Sequence, residues 1–427
     1  MFFILWVGLF LAACSPPAQP QNTVEPTQTV EATTEVLDQP AVEEITPPEH
    51  LIAIHQQNGK GEFYNIETGQ TFIPRGMNYV RLGPSGHSTF NPGYYQSAAV
   101  AEDLAKMYAD GYNTVRVFLS PEKIATPLGL EKAYMDNVAD FLRLAKANEI
   151  YVMFTLDWVP GGKYGTIMGR ACCTTFDWMN ANYLPKAGVE ANQVFFQDFA
   201  EDLIQRGAPT EYIFSYELRN EMFYDTNYPP FTLTSGTVTA ANGKSYDMSD
   251  TNEEKRMMEE NVVYFIDAVR SAILEVDPTA LVSIGFFAPH GPNAWRTSDT
   301  RVVVSQPAIW NSSADFIDLH AYPGRVPQEW ALTLDQFVEN FGLGDMQAKP
   351  ILMGEFGGER SNFVDIFDFA QKIVDWQVES CSYGYDGWLY WTWDTYEQAD
   401  FFNALMENGA VNGVLAPVVR PDPCEPF

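Results

Sequence analysis

The sequence predicts an α/β protein built as a (β/α)8 TIM barrel, and three observations carry that prediction. From about residue 51 onward, eight short apolar runs alternate with segments of helical periodicity. Several of these runs are almost continuously apolar, which is typical of parallel strands covered on both faces. Polar and charged residues follow most of the runs, at the strand ends where barrels of this class place their functional groups.

The predicted elements follow one another in an order that fits eight β/α repeats. An alternating segment with turn signals, Leu51–Phe72, predicts a short β-hairpin ahead of the barrel. The eight predicted strands are Phe72–Asn78, Thr114–Leu119, Ile150–Leu156, Tyr212–Tyr216, Leu281–Phe287, Phe316–Leu319, Ile351–Gly354 and Trp388–Trp393. Helical spacing of apolar residues predicts helices over Glu102–Asp110, Lys132–Asn148, Ala191–Arg206, Glu254–Val276, Leu334–Phe341 and Val364–Glu379, with a further helix somewhere in Arg301–Ser312.

One predicted connection is long. The segment Tyr224–Asp250, between the fourth strand and its helix, is rich in Gly, Thr, Asn and Tyr. Loops of this length are usually lids or binding loops. One hypothesis is that this loop closes one end of a cleft.

The chain opens with an apolar run, Met1–Cys14, that is too short to span a bilayer but has the length of a signal sequence. It ends in Leu-Ala-Ala-Cys14, which resembles a bacterial lipoprotein processing site, although no Lys or Arg precedes it. We therefore expect Cys14 to be lipidated, with a plain secretory signal as the alternative. Residues 15–50 are rich in Pro, Thr, Gln and Glu and predict a disordered tether to a domain that spans 51–427.

Charge and cysteine content narrow the classes of partner. The net charge of −31 is unfavourable for binding nucleic acid or anionic lipid headgroups, and it suits neutral ligands such as sugars. Besides Cys14, the four cysteines are Cys172, Cys173, Cys381 and Cys424, which permit two disulfides of undetermined connectivity. Their spacing fits no zinc motif. We expect no metal and no organic cofactor, a monomer, and contact with membrane only through the lipid anchor at the cell surface or in the periplasm.

Two glutamates end strands that lie far apart in sequence. Glu221 follows the fourth predicted strand and Glu355 closes the seventh, so both should point into one bowl. A pair of carboxylates across a cleft is what cleavage of a glycosidic bond requires. Glu217, four residues before Glu221, is interpreted as structural, as a partner of Arg219 or of a neighbouring strand.

The same strand ends carry a set of motifs that resembles the clan A glycoside hydrolases, most closely family 5, the cellulase and mannanase family. The motifs are Asn113-Thr-Val-Arg116, Asn220-Glu221, His320-Ala-Tyr322, Gly354-Glu355-Phe-Gly357 and Trp388-Leu-Tyr-Trp391. Each is weak alone, but their order and spacing cover nearly the whole region from 51 to about 415.

The resemblance implies a role for each matching residue. Glu221 would be the general acid/base and Glu355 the nucleophile of a retaining double displacement. Asn220 would bind the 2-hydroxyl of the sugar, and Arg116 and Tyr322 would hold Glu355 ionised and oriented. His320 would line the site between the carboxylates, and Trp391 would stack on the sugar. Trp158 is a further candidate sugar platform, with core packing as the alternative.

Departures from the family pattern leave the substrate open. Met222 stands where family members usually have proline after the acid/base glutamate, and the third strand ends in Asp157-Trp158 rather than histidine. The resemblance implies β-linked glucan or mannan as substrate without separating the two sugars. Alternatives are an exo-acting β-glycosidase on short glycosides or glycolipids, and a non-catalytic lipoprotein that captures glycans.

Overall fold

Eight parallel strands and the helices that connect them form a (β/α)8 TIM barrel, as the sequence predicts. The computed structural model describes residues 46–84, 86–170, 175–287, 300–322, 333–343 and 348–426. The signal sequence with Cys14, residues 15–45 of the tether, and Cys172 and Cys173 lie outside the described residues. The stretch from Ile45 to Phe427 is one compact unit. In the part of the chain that the structure describes, no helix is long and apolar enough to cross a membrane.

The barrel strands follow the chain in order around one sheet. They are β1 (Arg75–Tyr79), β2 (Thr114–Phe118), β3 (Tyr151–Thr155), β4 (Ile213–Glu217), β5 in two pieces (Val282–Ser283 and Gly285–Phe286), β6 (Ile317–Ala321), β7 (Ile351–Phe356) and β8 (Gly387–Tyr390). The first piece of β5 pairs with β4 and the second pairs with β6, so the interrupted fifth strand closes the barrel. All eight predicted strands are confirmed, with ends that differ by a few residues.

Helices cover the outside of the sheet and bury its outer face. The principal helices are α1 (Ser97–Ala109), α2 (Lys132–Ala147), α3 (Lys186–Gln205), α4 (Thr251–Val276), α5 (Ser305–Asn311), α6 (Leu334–Phe341) and α7 (Ile366–Cys381). Short helices cover Gly162–Met168, Asn180–Tyr183, Met406–Gly409 and Asn412–Leu415, with 3-10 turns at Thr210–Tyr212 and Arg360–Asn362. The undetermined helix after β5 is therefore α5. α2 illustrates the pattern, because Val138, Phe141, Leu142 and Ala145 are all buried on one face.

The predicted hairpin closes the N-terminal end of the barrel. Strands Ile52–Gln57 and Lys60–Asn65 pair antiparallel, and Ile52 and Phe63 are buried in a cluster with residues from the starts of the barrel strands. The ring of Phe63 lies 5.2 Å from those of Phe214 and Phe316, between centroids. The opposite end of the barrel remains available for the strand-end side chains.

The long connection between β4 and α4 is ordered rather than structureless. It contains a short hairpin of Thr237–Thr239 with Ser245–Asp247, and Tyr224–Asp225 pairs with Arg301–Val302. Other two-residue pairs are Leu82–Gly83 with Gly86–His87 and Ala125–Thr126 with Gly129–Leu130. Tyr246 is buried, and its hydroxyl donates to Glu260 of α4 at 2.7 Å. The connection thus packs onto its own helix.

Candidate active site

Arg116 lies at the centre of the polar layer inside the C-terminal end of the barrel. It points inward from β2 and is fully buried. Its guanidinium donates to Glu217 Oε2 at 2.8 Å, Asn78 Oδ1 at 2.9 Å, Glu355 Oε1 at 2.6 Å and Asn220 Oδ1 at 2.6 Å. Burial alone would lower the pKa of Arg116, but the carboxylates of Glu217 and Glu355 outweigh it and raise that pKa. One fixed cation therefore orients groups from β1, β7 and the end of β4.

Glu355 is held on both oxygens. Arg116 donates to Oε1, and the Tyr322 hydroxyl donates to Oε2 at 2.6 Å. Burial raises the pKa of Glu355, while the charges of His320 and Arg116 and the hydrogen bond from Tyr322 oppose that rise. The carboxylate has a fixed orientation at the floor of the bowl, with its side chain 5% exposed.

His320 lies between the two glutamates. Its Nδ1 is 3.1 Å from Glu221 Oε1 and 3.7 Å from Glu355 Oε2, and its Nε2 is 3.6 Å from Asp318 Oδ2. Burial would lower the pKa of His320, but the surrounding carboxylates raise it well above its usual value. A protonated His320 ring donates toward Glu221, and its positive charge reduces the repulsion between the carboxylates of Glu221 and Glu355. One carboxylate oxygen of Glu221 and one of Glu355 lie within 4.8 Å of each other.

Glu217 and Asp318 form a buried pair within this layer. Both side chains are fully buried. With both groups ionised, Glu217 Oε1 and Asp318 Oδ2 each lack a hydrogen-bond partner among the described residues. A proton on one of the two carboxyl groups would supply the missing donor. Burial raises the pKa of Glu217 to about 8, against the opposing charge of Arg116. A proton on Glu217 gives Asp318 a donor and balances the charges of the layer. Glu217 is structural, as predicted, but its partner is Arg116 rather than Arg219.

The residues above this layer form a cleft of about 380 Å³. Glu221 and Glu355 lie in its wall together with Asn220, Tyr322 and Trp391; the other lining residues are Leu82, His87, Phe118, Arg301, Gly358, Glu359, Asn362, Gln398 and Phe401. The Trp391 indole donates to Gln398 at 2.7 Å and meets Phe118 edge to face at 5.8 Å. This indole is therefore fixed in orientation, with its surface facing the cleft.

A second chain of contacts positions Asn220. Its side-chain Nδ2 donates to Asp157 Oδ1 at 3.1 Å, and His87 Nε2 lies 3.1 Å from the other oxygen of Asp157. Burial would raise the pKa of Asp157, but the hydrogen bond and charge of His87, the charge of Arg219 and the hydrogen bond from Asn220 together outweigh it and lower that pKa to about 2. The His87 ring in turn stacks on Phe118 at 3.9 Å between centroids.

The structure brings together seven of the eight predicted catalytic and sugar-binding residues: Glu221, Glu355, Arg116, Asn220, His320, Tyr322 and Trp391. Trp158 does not line the cleft and is 37% exposed beside it. Trp393 is fully buried, and its indole donates to Asp103 of α1, on the helix side of the barrel.

Sequence reasoning missed several residues of the site. His87, Gln398 and Phe401 lie on connections without a strand-end signal, and only the fold brings them to the cleft. Asn78 and Asp318 were detectable, because they lie inside predicted strands two residues from an inward position. Asn78 Nδ2 donates to the backbone carbonyl of Gly354, and Asp318 Oδ1 accepts from the amide of the same residue. These contacts fix β7 next to Glu355.

Two trios among the described residues have ligand atoms within 4.8 Å of one another: Glu217, Asp318 and His320, and Glu221, His320 and Glu355. Their donor types could hold a cation. In the structure, Arg116 contacts Glu217 and Glu355, and His320 contacts Glu221.

A barrel with two facing carboxylates at its C-terminal end is the arrangement that (β/α)8-barrel glycoside hydrolases use. Residues 67–397 match the family model described as Cellulase (glycosyl hydrolase family 5). The match covers most of the chain, and the protein therefore belongs to glycosyl hydrolase family 5, in clan A. The resemblance read from the strand-end motifs is confirmed.

Solved structures share the fold at low sequence identity. The exo-beta-1,4-mannosidase Op5Man5 from Opitutaceae bacterium strain TAV5 is 16% identical over 87% of this chain, with a TM-score of 0.57, and the chain spans 63% of that enzyme. The endo-1,4-beta-mannanase from Rhizomucor miehei is 15% identical over 86% of this chain and 99% of its own, with a TM-score of 0.55. The endocellulase from Pyrococcus horikoshii gives the same identity, coverage and TM-score. No curated protein matches the chain.

Proposed function

We propose that the protein is a retaining glycoside hydrolase that cleaves β-linked glucan or mannan by double displacement, with Glu355 as nucleophile and Glu221 as general acid/base. The observation that carries the proposal is the separation of the two carboxylates. One oxygen of Glu221 and one oxygen of Glu355 lie no more than 4.8 Å apart, which is a distance between oxygens and not between the carboxyl carbons. Retaining glycosidases place their carboxyl groups about 5–5.5 Å apart, whereas inverting enzymes need about 6.5–9.5 Å to admit a water.

The first step of the proposed reaction forms a covalent glycosyl-enzyme. Glu355 attacks the anomeric carbon while Glu221 protonates the departing glycosidic oxygen. The two hydrogen bonds to Glu355, from Arg116 and Tyr322, aim its carboxylate and oppose the rise in its pKa that burial causes. Asn220, fixed by Arg116 and Asp157, presents its amide to the 2-hydroxyl of the sugar.

The second step releases the sugar with net retention. Glu221 has given up its proton and acts as a base on the water that attacks the glycosyl-enzyme. Glu221 is the more exposed of the two carboxylates, with its side chain 29% exposed against 5% for Glu355. Water from the open side of the cleft therefore reaches the base, whereas the nucleophile stays enclosed.

The cleft supports a neutral sugar substrate. Trp391, Phe401 and Tyr322 offer ring surfaces, and the polar groups of Asn220, Glu359 and Gln398 offer hydrogen bonds. Among the described residues, none that lines the cleft comes from the connection 224–250, so we favour internal cleavage over the exo alternative. The solved relatives include enzymes named for mannan and for cellulose, and both polymers stay in the proposal.

The test is product analysis with β-mannan, β-glucan and their oligosaccharides, by mass spectrometry and proton NMR. We expect oligosaccharides of several lengths, with the β-anomer formed first, and no release by Glu355→Gln. An α-anomer formed first would contradict the retaining mechanism. Release of single sugars alone would favour the exo alternative, and binding without release would favour the non-catalytic one.

We further propose that the protein is exported and anchored to a bacterial membrane through a lipid on Cys14. The processing motif before Cys14 supports this. The disulfide between Cys381 and Cys424 fits export, because such bonds persist in oxidising compartments. The acidic tether of residues 15–50 would let the barrel reach polymer beyond the membrane.

A further inference from the structure

Three aromatic side chains form an exposed surface beside the catalytic cleft. Trp158 is 37%, Trp178 53% and Tyr228 38% exposed, and we call these three residues the aromatic face. Trp178 and Tyr228 stack with centroids 5.8 Å apart and planes 29° from parallel. Trp158 and Trp178 line a hollow of about 380 Å³ with Met168, Asp177, Met179, Ala181 and Asn182. Clustered exposed apolar side chains often mark a binding site.

A buried asparagine fixes the two loops that carry Trp178 and Tyr228. Asn180 is fully buried, and its Nδ2 donates to the backbone carbonyls of Asp225, Tyr228 and Pro229 at 2.8–3.2 Å. Its Oδ1 accepts from the amide of Asp225 at 3.0 Å. The aromatic face is therefore built in advance, so a ligand pays little ordering entropy on binding.

The backbone at Trp178 is in an unfavourable conformation. Its φ is +52°, in the left-handed region that bulky side chains rarely adopt. Strain of this kind persists where the surrounding structure holds it, and it clusters at ligand sites. Here it turns a large apolar ring toward solvent, although the same segment buries Phe176 and Met179.

The aromatic face adjoins the catalytic cleft through direct contacts. Trp158 follows Asp157, whose carboxylate accepts from Asn220 in the cleft wall. Arg219 bridges the two regions, with Nη2 3.9 Å from the sulfur of Met179 in the hollow and Nη1 3.7 Å from Asp157. Asp157 and Arg219 therefore connect the aromatic face to the wall of the cleft.

We propose that the aromatic face is a distal sugar site, where Trp178, with Tyr228 behind it and Trp158 beside it, stacks on a pyranose ring of the same substrate chain. The C–H faces of a β-linked pyranose are apolar and its hydroxyls lie at the rim, which suits an apolar hollow bordered by Asp177 and Asn182. The inference rests on the proposed function and deepens it: the natural substrate is a chain long enough to reach from the carboxylates to this face.

The experiment measures kcat/KM for β-linked manno- and gluco-oligosaccharides of two to six sugars, with wild type, Trp178→Ala and Tyr228→Ala. We expect activity on the shortest cleaved substrate to be unchanged and activity on the hexasaccharide to fall roughly tenfold, as when one aromatic anchor is removed from an interface. Tyr108→Ala, which removes an exposed ring from α1, is the matched control and should change neither. Equal activity of wild type and both variants at every length would overturn the inference while the proposed function stands.

A binding arm separates failure of the inference from failure of the proposed function. Calorimetry with mannohexaose and cellohexaose needs no turnover and also serves variants that are folded but inactive. If the wild type hydrolyses nothing, the proposed function fails, and weaker hexasaccharide binding by Trp178→Ala still supports the aromatic face as a sugar site. Identical binding by wild type and Trp178→Ala overturns it. Trp178→Phe keeps a ring and should recover most of the affinity, which distinguishes stacking from misfolding.

Discussion

At the scale of single residues, the balance of charges in the buried layer around Arg116 determines how the catalytic side chains are oriented. Arg116 and His320 carry positive charge, and Glu355 and Asp318 carry negative charge. A protonated Glu217 leaves the layer neutral. Buried charges are tolerated only when they are paired and hydrogen-bonded, so each member depends on the others. The orientation of Glu355 is consequently a property of the whole layer.

We predict that Glu355→Gln and Glu221→Gln each lower kcat on oligosaccharides by at least roughly 10³-fold, because the first removes the nucleophile and the second the proton donor. For an aryl glycoside with an acidic leaving group, Glu221→Gln should cost much less in the first step, since that group needs no proton. Steady-state kcat/KM with both substrates measures the difference, because kcat/KM reports the first step, whereas kcat also falls when Glu221 is lost as the base of the second step. The matched control is Glu201→Gln on the exposed side of α3, and equal losses on both substrates by Glu221→Gln would contradict the acid role.

We predict a pH-dependent stability effect at Glu217. Its pKa in the folded protein is raised to about 8 from a usual value near 4.5, so its stabilising contribution is complete below pH 4.5 and is lost as the pH rises to about 8. Glu217→Gln mimics the protonated form and removes this loss. Relative to wild type, the variant should gain at least about 1 kcal/mol of unfolding free energy between pH 5 and pH 8, measured with urea. Parallel pH curves would show that Glu217 is ionised in the folded protein.

At the scale of elements, the close approach of the β5 backbone to the end of β4 determines the position of the functional side chains there. A Cβ at Gly285 in β5 would lie 1.8 Å from the carbonyl oxygen of Asn220 and 2.2 Å from Glu217 Oε1. The interrupted fifth strand therefore has glycine where it passes the end of β4. The residues next to Glu221 hold their position because of this contact.

We predict that Gly285→Ala destabilises the protein by about 1–3 kcal/mol and lowers activity, because the added methyl group must displace the backbone before Glu221. Thermal unfolding and kinetics of the purified variant measure both effects. Gly413→Ala is the control, since its Cβ meets nothing within 4 Å and alanine favours its short helix. Full activity in Gly285→Ala would show that the end of β4 adapts without cost.

At the scale of the whole molecule, the C-terminal tail closes the barrel against its first strand. Arg75 at the start of β1 donates to the backbone carbonyls of Leu415, Arg420 and Pro421. The disulfide between Cys381 and Cys424 joins the tail to the end of α7 across 43 residues. Of the pairings that the sequence left open, this one is formed in the structure.

We predict that Cys424→Ser lowers the unfolding free energy by roughly 2–4 kcal/mol, because the bridge removes loop entropy from the unfolded chain. Chemical denaturation without reductant measures the loss. Cys381→Ser should cost the same, and the double variant no more than either single one. An unchanged midpoint in all three would mean that the bridge contributes nothing to stability.

We predict that Cys14→Ser moves the protein from the membrane fraction to the soluble exported fraction, because the proposed lipid would attach to this thiol. Fractionation and mass spectrometry of the processed N-terminus measure the change. Cys424→Ser is the control and should stay with the membrane. A wild-type protein that is already soluble would favour the plain secretory signal.

Much of the fold was accessible from sequence because its signals are local. Apolar runs gave all eight strands, and helical periodicity gave the helices, although α1 begins at Ser97 rather than Glu102. The ordered hairpin inside the connection 224–250 was missed, because its buried residues, such as Val238 and Tyr246, gain their stability from packing on α4. The local pattern of apolar residues in a sequence does not show which side chains are buried by contacts with distant elements.

By itself the sequence determined the barrel, the family and the strand-end residues, since strand ends of one sheet must meet at one edge. Only the tertiary structure decided the distances and the partners. It brought one oxygen of Glu221 within 4.8 Å of one oxygen of Glu355. It also paired Glu217 with Arg116 and placed His87 next to Asp157. It also placed Trp158 outside the cleft with Trp178 and Tyr228. These outcomes depend on contacts between residues remote in sequence, which no periodicity records.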